Sequence, residues 1–219
     1  KSEFLSRMSH DIRTPMNAIL GMTVIAENSL QNTEKIKDCL SKISLSGAHL
    51  LELINEVLDM SKIESGKMSL SEEVIHLDKL VGEVAQIIRP EAENRKQKYE
   101  AQIRELDHGT VCGDAVRIKQ ILINLLSNAV KYTPVGGRIG LSLDEKLSSE
   151  SGVGCFEFTV EDNGIGMAPE FIDRLFMPFE RAEDPRVSRI QGTGLGLAIT
   201  RNLVSMMNGT IQVESRMDV

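Results

Sequence analysis

The sequence predicts an α+β chain of two domains: a helical hairpin that becomes a four-helix bundle in a dimer, then an α/β sandwich. Three observations predict it. Apolar residues of the first third recur at heptad spacing. The run Ser65-Gly66-Lys67-Met68-Ser69 then breaks that pattern. Beyond it, short alternating segments interleave with amphipathic ones. The expected boundaries are 1–66 and 67–219.

In the first expected helix, Leu5, Met8, Ile12, Pro15, Ile19 and Met22 step by three and four. In the second, Ile36, Leu40, Ile43, Gly47, Leu50, Ile54, Val57 and Ser61 do the same, with Leu51 and Leu58 widening the stripe. The polar run Glu27 to Glu34 suits a connecting loop that ends in an N-cap. A lone hairpin buries one face of each helix. Each buried Leu or Ile contributes about 1.5–3 kcal/mol, so a wet second stripe is costly. Pairing two hairpins covers it, and a homodimer is expected. Packing on the chain's own second domain is the alternative.

After the boundary, Glu73 to Leu77 reads as a strand and Leu77 to about Lys96 as an amphipathic helix. Lys98–Ile103 and Gly109–Cys112 read as strands, and Asp114 to Tyr132 as a helix stopped by Thr133-Pro134. Arg138–Leu143 and Cys155–Glu161 alternate like paired strands. A short helix follows Pro169, a last helix runs from Leu195 to Met207, and Thr210–Val213 reads as a final strand.

Composition narrows the class. Hydrophobic residues make up 41% and charged residues 26%, values of a globular protein. Aromatics are only 4%, so the cores are expected to be aliphatic. A net charge of -7 argues against nucleic acid. No apolar run nears the roughly 20 residues of a membrane span, so no membrane contact is expected. The chain opens inside a charged helical pattern, so no signal peptide is expected. The cysteines Cys39, Cys112 and Cys155 are odd in number and widely spaced. That suits free thiols in a reducing, cytoplasmic setting.

His10 falls between the seam residues Met8 and Ile12. Two positions off a seam is about 200° around a helix, which turns the ring to solvent. Thr14 follows one turn later and Asp11 is adjacent. A carboxylate beside imidazole holds the proton of one nitrogen and leaves the other lone pair free. Pro15 deprives the Asp11 carbonyl of its helical partner and should bend the helix there. An ordinary surface histidine would carry the same pair.

Further on, Arg117, Gln120, Asn124, Asn128 and Lys131 step by three and four along one helix face. Two amides and a lysine on one arc suit a phosphate tail with Mg²⁺, since that ion takes oxygen ligands and keeps waters. A solvated face is the alternative. Asp162-Asn-Gly164-Ile-Gly166 follows a strand, where Asp162 could accept from an exocyclic amine; alone, the run is also a common turn. Gly192-Thr193-Gly194-Leu195-Gly196 opens a helix, and amides at a helix start bind phosphate. Alone it is weak.

The run from Phe4 through His10-Asp-Ile-Arg-Thr-Pro15 to Gly21 resembles the H-box of sensor histidine kinases. The order of the later elements, with Phe176-Met-Pro-Phe179 between them, resembles the N, G1, F and G2 boxes of that family's Bergerat-type ATP-binding domain. The resemblance implies that His10 takes a phosphoryl group from ATP and passes it to an aspartate on a response regulator receiver domain. It implies Asp11 as acid/base partner and Thr14 as the residue that positions water in dephosphorylation. It implies Asn128 as the Mg²⁺ ligand, Asn124 and Lys131 near the phosphates, Tyr132 against adenine and Asp162 at its amine. Gly164, Gly166, Gly192, Gly194 and Gly196, with Thr193, Leu195 and Phe179, would line the pocket. The charged stretch between Phe179 and Gly192 would be a lid. In the family a further strand follows Ser215, so the chain reads as the catalytic portion of a longer protein. Two other readings stand beside this one: a nucleotide-dependent dimeric interaction module, and a core that acts mainly as a regulator phosphatase.

Overall fold

A computed structural model describes residues 2–104, 106–146, 153–182 and 192–217, with side chains from residue 8 onward. The chain divides into two compact units, Lys1–Met68 and Ser69–Val219.

The first unit is a hairpin of α1 (Ser2–Glu27) and α2 (Thr33–Glu64). Asn32 caps α2, its side-chain oxygen accepting the Lys35 N–H at 3.0 Å. Helical structure runs through Pro15 without a break. Met8 and Pro15 are buried, and Ile12, Ile19 and Met22 half-buried, as the seam predicts; the Leu5 side chain lies outside the described residues. On α2 the expectation needs correction. Ile36, Ile43, Leu50 and Val57 are partly covered, but the fully buried residues are Cys39, Leu53 and Met60. Leu40, Ile54 and Ser61 face outward with Leu51 and Leu58. The α2 stripe is thus two adjacent rows, and α1 covers only one.

The second unit holds a three-stranded sheet ordered β2-β4-β5, where β2 is Lys98–Ile103, β4 Arg138–Lys146 and β5 Cys155–Asp162. β2 and β4 are parallel, with Lys98 opposite Arg138; β4 and β5 are antiparallel, with Ile139 opposite Asp162. β1 (Glu73–His76) and β3 (Thr110–Gly113) form a separate antiparallel pair. The helices are α3 (Leu77–Asn94), α4 (Ala115–Tyr132), the short α5 (Pro169–Ile172) and α6 (Gly196–Met206).

One core joins α3, α4 and the sheet. Leu80, Val84 and Ile88 of α3 and Leu122 and Leu126 of α4 meet Ile139, Leu141 and Leu143 of β4. The alternation along β4 sends each second residue inward. The result is an aliphatic α/β sandwich. Thr210–Val213, expected as a strand, belongs to no ladder. Its alternation is present, but no sheet edge pairs with it among the described residues.

The ends of α4 are firmly held. Asp114 caps its start, accepting the Arg117 N–H at 3.0 Å and the Ser71 N–H at 2.9 Å. Burial pushes the Asp114 carboxyl up, but those two amides, with the Ser71 hydroxyl and the Arg117 charge, together hold it below the usual range. At the other end, Arg95 donates to the Val130 and Lys131 carbonyls at 3.2 Å each. Gln97 donates to Val130 at 3.1 Å and to Thr133 at 2.6 Å. These carbonyls have no partner within the helix, and a guanidinium there also suits the helix dipole.

Candidate active site

In the hairpin, His10 is 79% exposed at its side chain and its Nδ1 lies 3.1 Å from Asp11 Oδ1. An ionised carboxylate only accepts, so a neutral ring in this hydrogen bond has its hydrogen on Nδ1 and its lone pair on Nε2. Thr14 donates its hydroxyl to the His10 carbonyl at 3.2 Å. It sits one turn from the ring and is exposed.

In the lobe, the candidate residues lie on three segments: part of α4 and two that contact it. The first is the second half of α4 itself. Asn128 and Lys131 are half-buried, and neither side chain has a partner among the described residues. Tyr132 is half-buried, and burial raises its hydroxyl's pKa against the opposing charge of Arg181. The second is the loop 162–166. Ile165 donates to the Tyr132 carbonyl at 3.3 Å, and Gly164 to Asp162 Oδ1 at 2.8 Å. A Cβ on Gly164 would stand 2.6 Å from that oxygen and 2.7 Å from the Tyr132 carbonyl, so the turn admits only glycine. Asp162 itself is exposed.

The third segment is the start of α6. Asn124 donates to the Gly196 carbonyl at 3.2 Å and to Thr200 Oγ1 at 3.4 Å. The amide expected near phosphate therefore also ties α6 to α4. Leu195, at the N-cap, offers no side-chain cap, so the first amides of α6 remain available to an anion. The Leu195 side chain is fully buried and packs the core. Thr193 Oγ1 accepts the Leu195 N–H at 3.0 Å. Phe179 donates its N–H to the Gly194 carbonyl at 2.9 Å, and both residues have positive φ, 66° and 72°. A Cβ on Gly194 would stand 2.8 Å from Phe179 Cα. Gly192 has open space around it. Most of the expected lid, residues 183–191, lies outside the described residues.

Each predicted lobe residue thus falls on α4 or on a segment next to it. The sequence reading missed Thr200, Arg95 and Gln97. Thr200 sits one helical turn after Gly196, a spacing readable once α6 is placed. Arg95 and Gln97 act across more than thirty residues and leave no local signal.

The donor set tests the fit of a magnesium–triphosphate. Among the described residues no cluster of three His, Cys, Asp or Glu could hold a metal alone. An unpartnered Asn128, with Lys131 about one turn on and the uncapped amides of α6 in the same lobe, fits a hydrated Mg²⁺ carried largely by phosphate oxygens.

Two family models match the chain. Residues 1–66 match the His Kinase A (phospho-acceptor) domain. Residues 113–218 match the histidine kinase-, DNA gyrase B- and HSP90-like ATPase. The chain is 39% identical over 98% of its length to the non-motile and phage-resistance protein of Caulobacter vibrioides. It is 38% identical over 98% to the autoinducer 2 sensor kinase/phosphatase LuxQ of Vibrio harveyi. It spans 25% of the length of each. The structure of full-length ShkA in complex with AMPPNP matches 98% of the chain and 43% of its own, at 31% identity and TM-score 0.70. A hairpin of phospho-acceptor type is thus followed by a lobe of ATPase type. The chain belongs to the histidine kinase family.

Proposed function

We propose that the chain is the catalytic core of a sensor histidine kinase in two-component signalling, and that it phosphorylates His10 from ATP. The observation that carries this is the His10–Asp11 hydrogen bond, which leaves Nε2 as a free, exposed nucleophile. Nε2 forms the new bond to the γ-phosphorus as the bond from that phosphorus to the ADP oxygen breaks. The ring's positive charge is relieved toward Asp11, which accepts from Nδ1. Transfer to an aspartate on a response regulator receiver domain would follow.

In this reading residues 1–66 hold the acceptor and residues 67–219 hold the nucleotide. Asn128 binds Mg²⁺, and Lys131, Asn124 and the α6 amides neutralise phosphate. The metal, when bound, supplies charge neutralisation across the phosphates. Tyr132 lies against adenine. Asp162 takes the exocyclic amine through Oδ2, since Oδ1 already accepts from Gly164. Gly164, Gly166, Gly192, Thr193, Gly194, Leu195, Gly196 and Phe179 shape the pocket.

The outward row of Leu40, Leu51, Ile54 and Leu58 on α2, with Met16 and Leu20 on α1, supports a homodimer through the hairpin. Among the described residues no helix is long and apolar enough to cross a membrane. An ATP-dependent core belongs in the cytoplasm. A pure interaction module would need no free imidazole nitrogen beside a carboxylate, and the phospho-acceptor match favours the kinase over a core that is mainly a phosphatase.

The test is phosphate incorporation from γ-labelled ATP. The parent chain should take up acid-labile, alkali-stable label, and His10→Ala should take up none. Equal labelling of the two would refute the site.

A further inference from the structure

Gly166 closes the loop that begins at Asp162, and its φ is +65°. The space beside it is filled by the chain's own C-terminal segment. A Cβ there would overlap the Arg216 carbonyl oxygen and stand 2.9 Å from Met217 Cα. One residue on, the Met167 N–H donates to Ser215 Oγ at 2.9 Å. The loop is therefore held from two sides. At Gly164 and Ile165 it rests on the last residue of α4. At Gly166 and Met167 it rests on residues 215–217. Residues 210–216 join no strand ladder, so no sheet fixes this segment independently of the loop.

We propose that the C-terminal segment is a positioning element for the nucleotide loop, with Gly166 as its seat and Ser215 as its anchor. The inference rests on the nucleotide-binding reading above and gives Gly166 a role that needs no contact with nucleotide. A glycine is required there because backbone crosses backbone. Displacing the segment releases one end of the loop, and the carboxylate of Asp162 loses its fixed aim. Whatever pulls on the segment is then felt as a change in nucleotide affinity, with the His10 neighbourhood untouched.

The experiment is calorimetric titration of Mg-ATP into the whole chain. If the parent binds no nucleotide, the nucleotide reading itself fails. If it binds, Ser215→Ala should weaken affinity roughly threefold to tenfold, the loss of one hydrogen bond. Ser215→Thr, which keeps the hydroxyl, should restore it. Gly166→Ala should weaken binding at least as much. The Gly166→Ala/Ser215→Ala pair should bind within about twofold of Gly166→Ala alone, because both break one coupling. Should Gly166→Ala fail to fold, hydrogen exchange at the Met167 amide decides with the Ser215 pair: faster in Ser215→Ala, normal in Ser215→Thr. A Ser215→Ala chain that melts lower yet binds Mg-ATP like the parent, or leaves Met167 exchange unchanged, would overturn the proposal.

Discussion

The hairpin and the lobe bury their apolar residues in opposite ways. In the lobe, Leu80, Val84, Ile88, Leu122, Leu126, Leu141 and Leu143 form one closed cluster. In the hairpin, only Met8, Pro15, Cys39, Leu53 and Met60 are fully covered among the described side chains, while Leu20, Leu45, Leu51 and Leu58 are more than half exposed. The lobe can complete its core from one chain. The hairpin presents a row that asks for a second surface. Under the proposed function the roles divide in the same way: the nucleotide side needs fixed geometry, and the acceptor side needs a ring that stays accessible.

The largest effect should come from emptying the lobe's core. Leu126→Ala is expected to lose about 2–5 kcal/mol. Urea unfolding followed by tyrosine fluorescence isolates this, because Tyr99 and Tyr132 are the chain's two tyrosines and both lie in the lobe. Under the homodimer proposal, self-association through the hairpin should survive. If Leu126→Ala dissociated the dimer, the two cores would not be separate.

Next in size is the hairpin's outward row. Under the homodimer proposal, Ile54→Lys removes a contact worth about 1.5–3 kcal/mol, so dissociation should rise roughly tenfold to a hundredfold. Sedimentation at graded concentration reads this directly. An unchanged dimer would move the interface elsewhere, and a monomeric parent would remove it.

A smaller effect belongs to the cap of α4. Asp114→Ala should lose about 1–2 kcal/mol. The Asp114 carboxyl is held below its usual value, so its contribution is complete above that value and is lost as pH falls through the lowered one. The difference between parent and variant should therefore shrink below about pH 4. A constant difference down to acid would assign the effect to something other than the carboxylate.

The smallest belongs to His108 and Glu145, joined at 2.7 Å on the lobe's surface. Hydrogen bonding to Glu145 raises the His108 pKa; the backbone N–H and then the ring of His108 lower that of Glu145. The link is complete only between the ordinary values of the two groups, about pH 4.5 to 6.5. It weakens as pH rises through the histidine's raised value or falls through the glutamate's lowered one. An NMR titration should show His108 titrating lower in Glu145→Gln than in the parent.

Much of this division could be read from residue order. The polar steps from Arg117 to Lys131 predict the face of α4 from which Asn124 reaches α6, because helical period converts spacing into direction. The outward turn of the His10 ring was legible for the same reason. The α2 stripe was not, since Leu40, Ile54 and Leu58 are as apolar as Leu53. Periodicity finds an apolar row but does not say which partner covers it. The final strand misled because alternation at Thr210–Val213 states a preference, while a ladder needs a neighbouring edge. Gly166 reads as a loop glycine until the backbone of Arg216 is seen beside it.

Under the proposed function, the exposed ring on the hairpin receives phosphorus from the nucleotide held by the lobe. Mass-spectrometric mapping at alkaline pH, after incubation with Mg-ATP, tests it most directly. Phosphate should appear on the peptide containing His10 and be absent when Asn128 is replaced by Ala. Phosphate on any other residue, or an unmodified His10 in a chain that binds Mg-ATP, would contradict it.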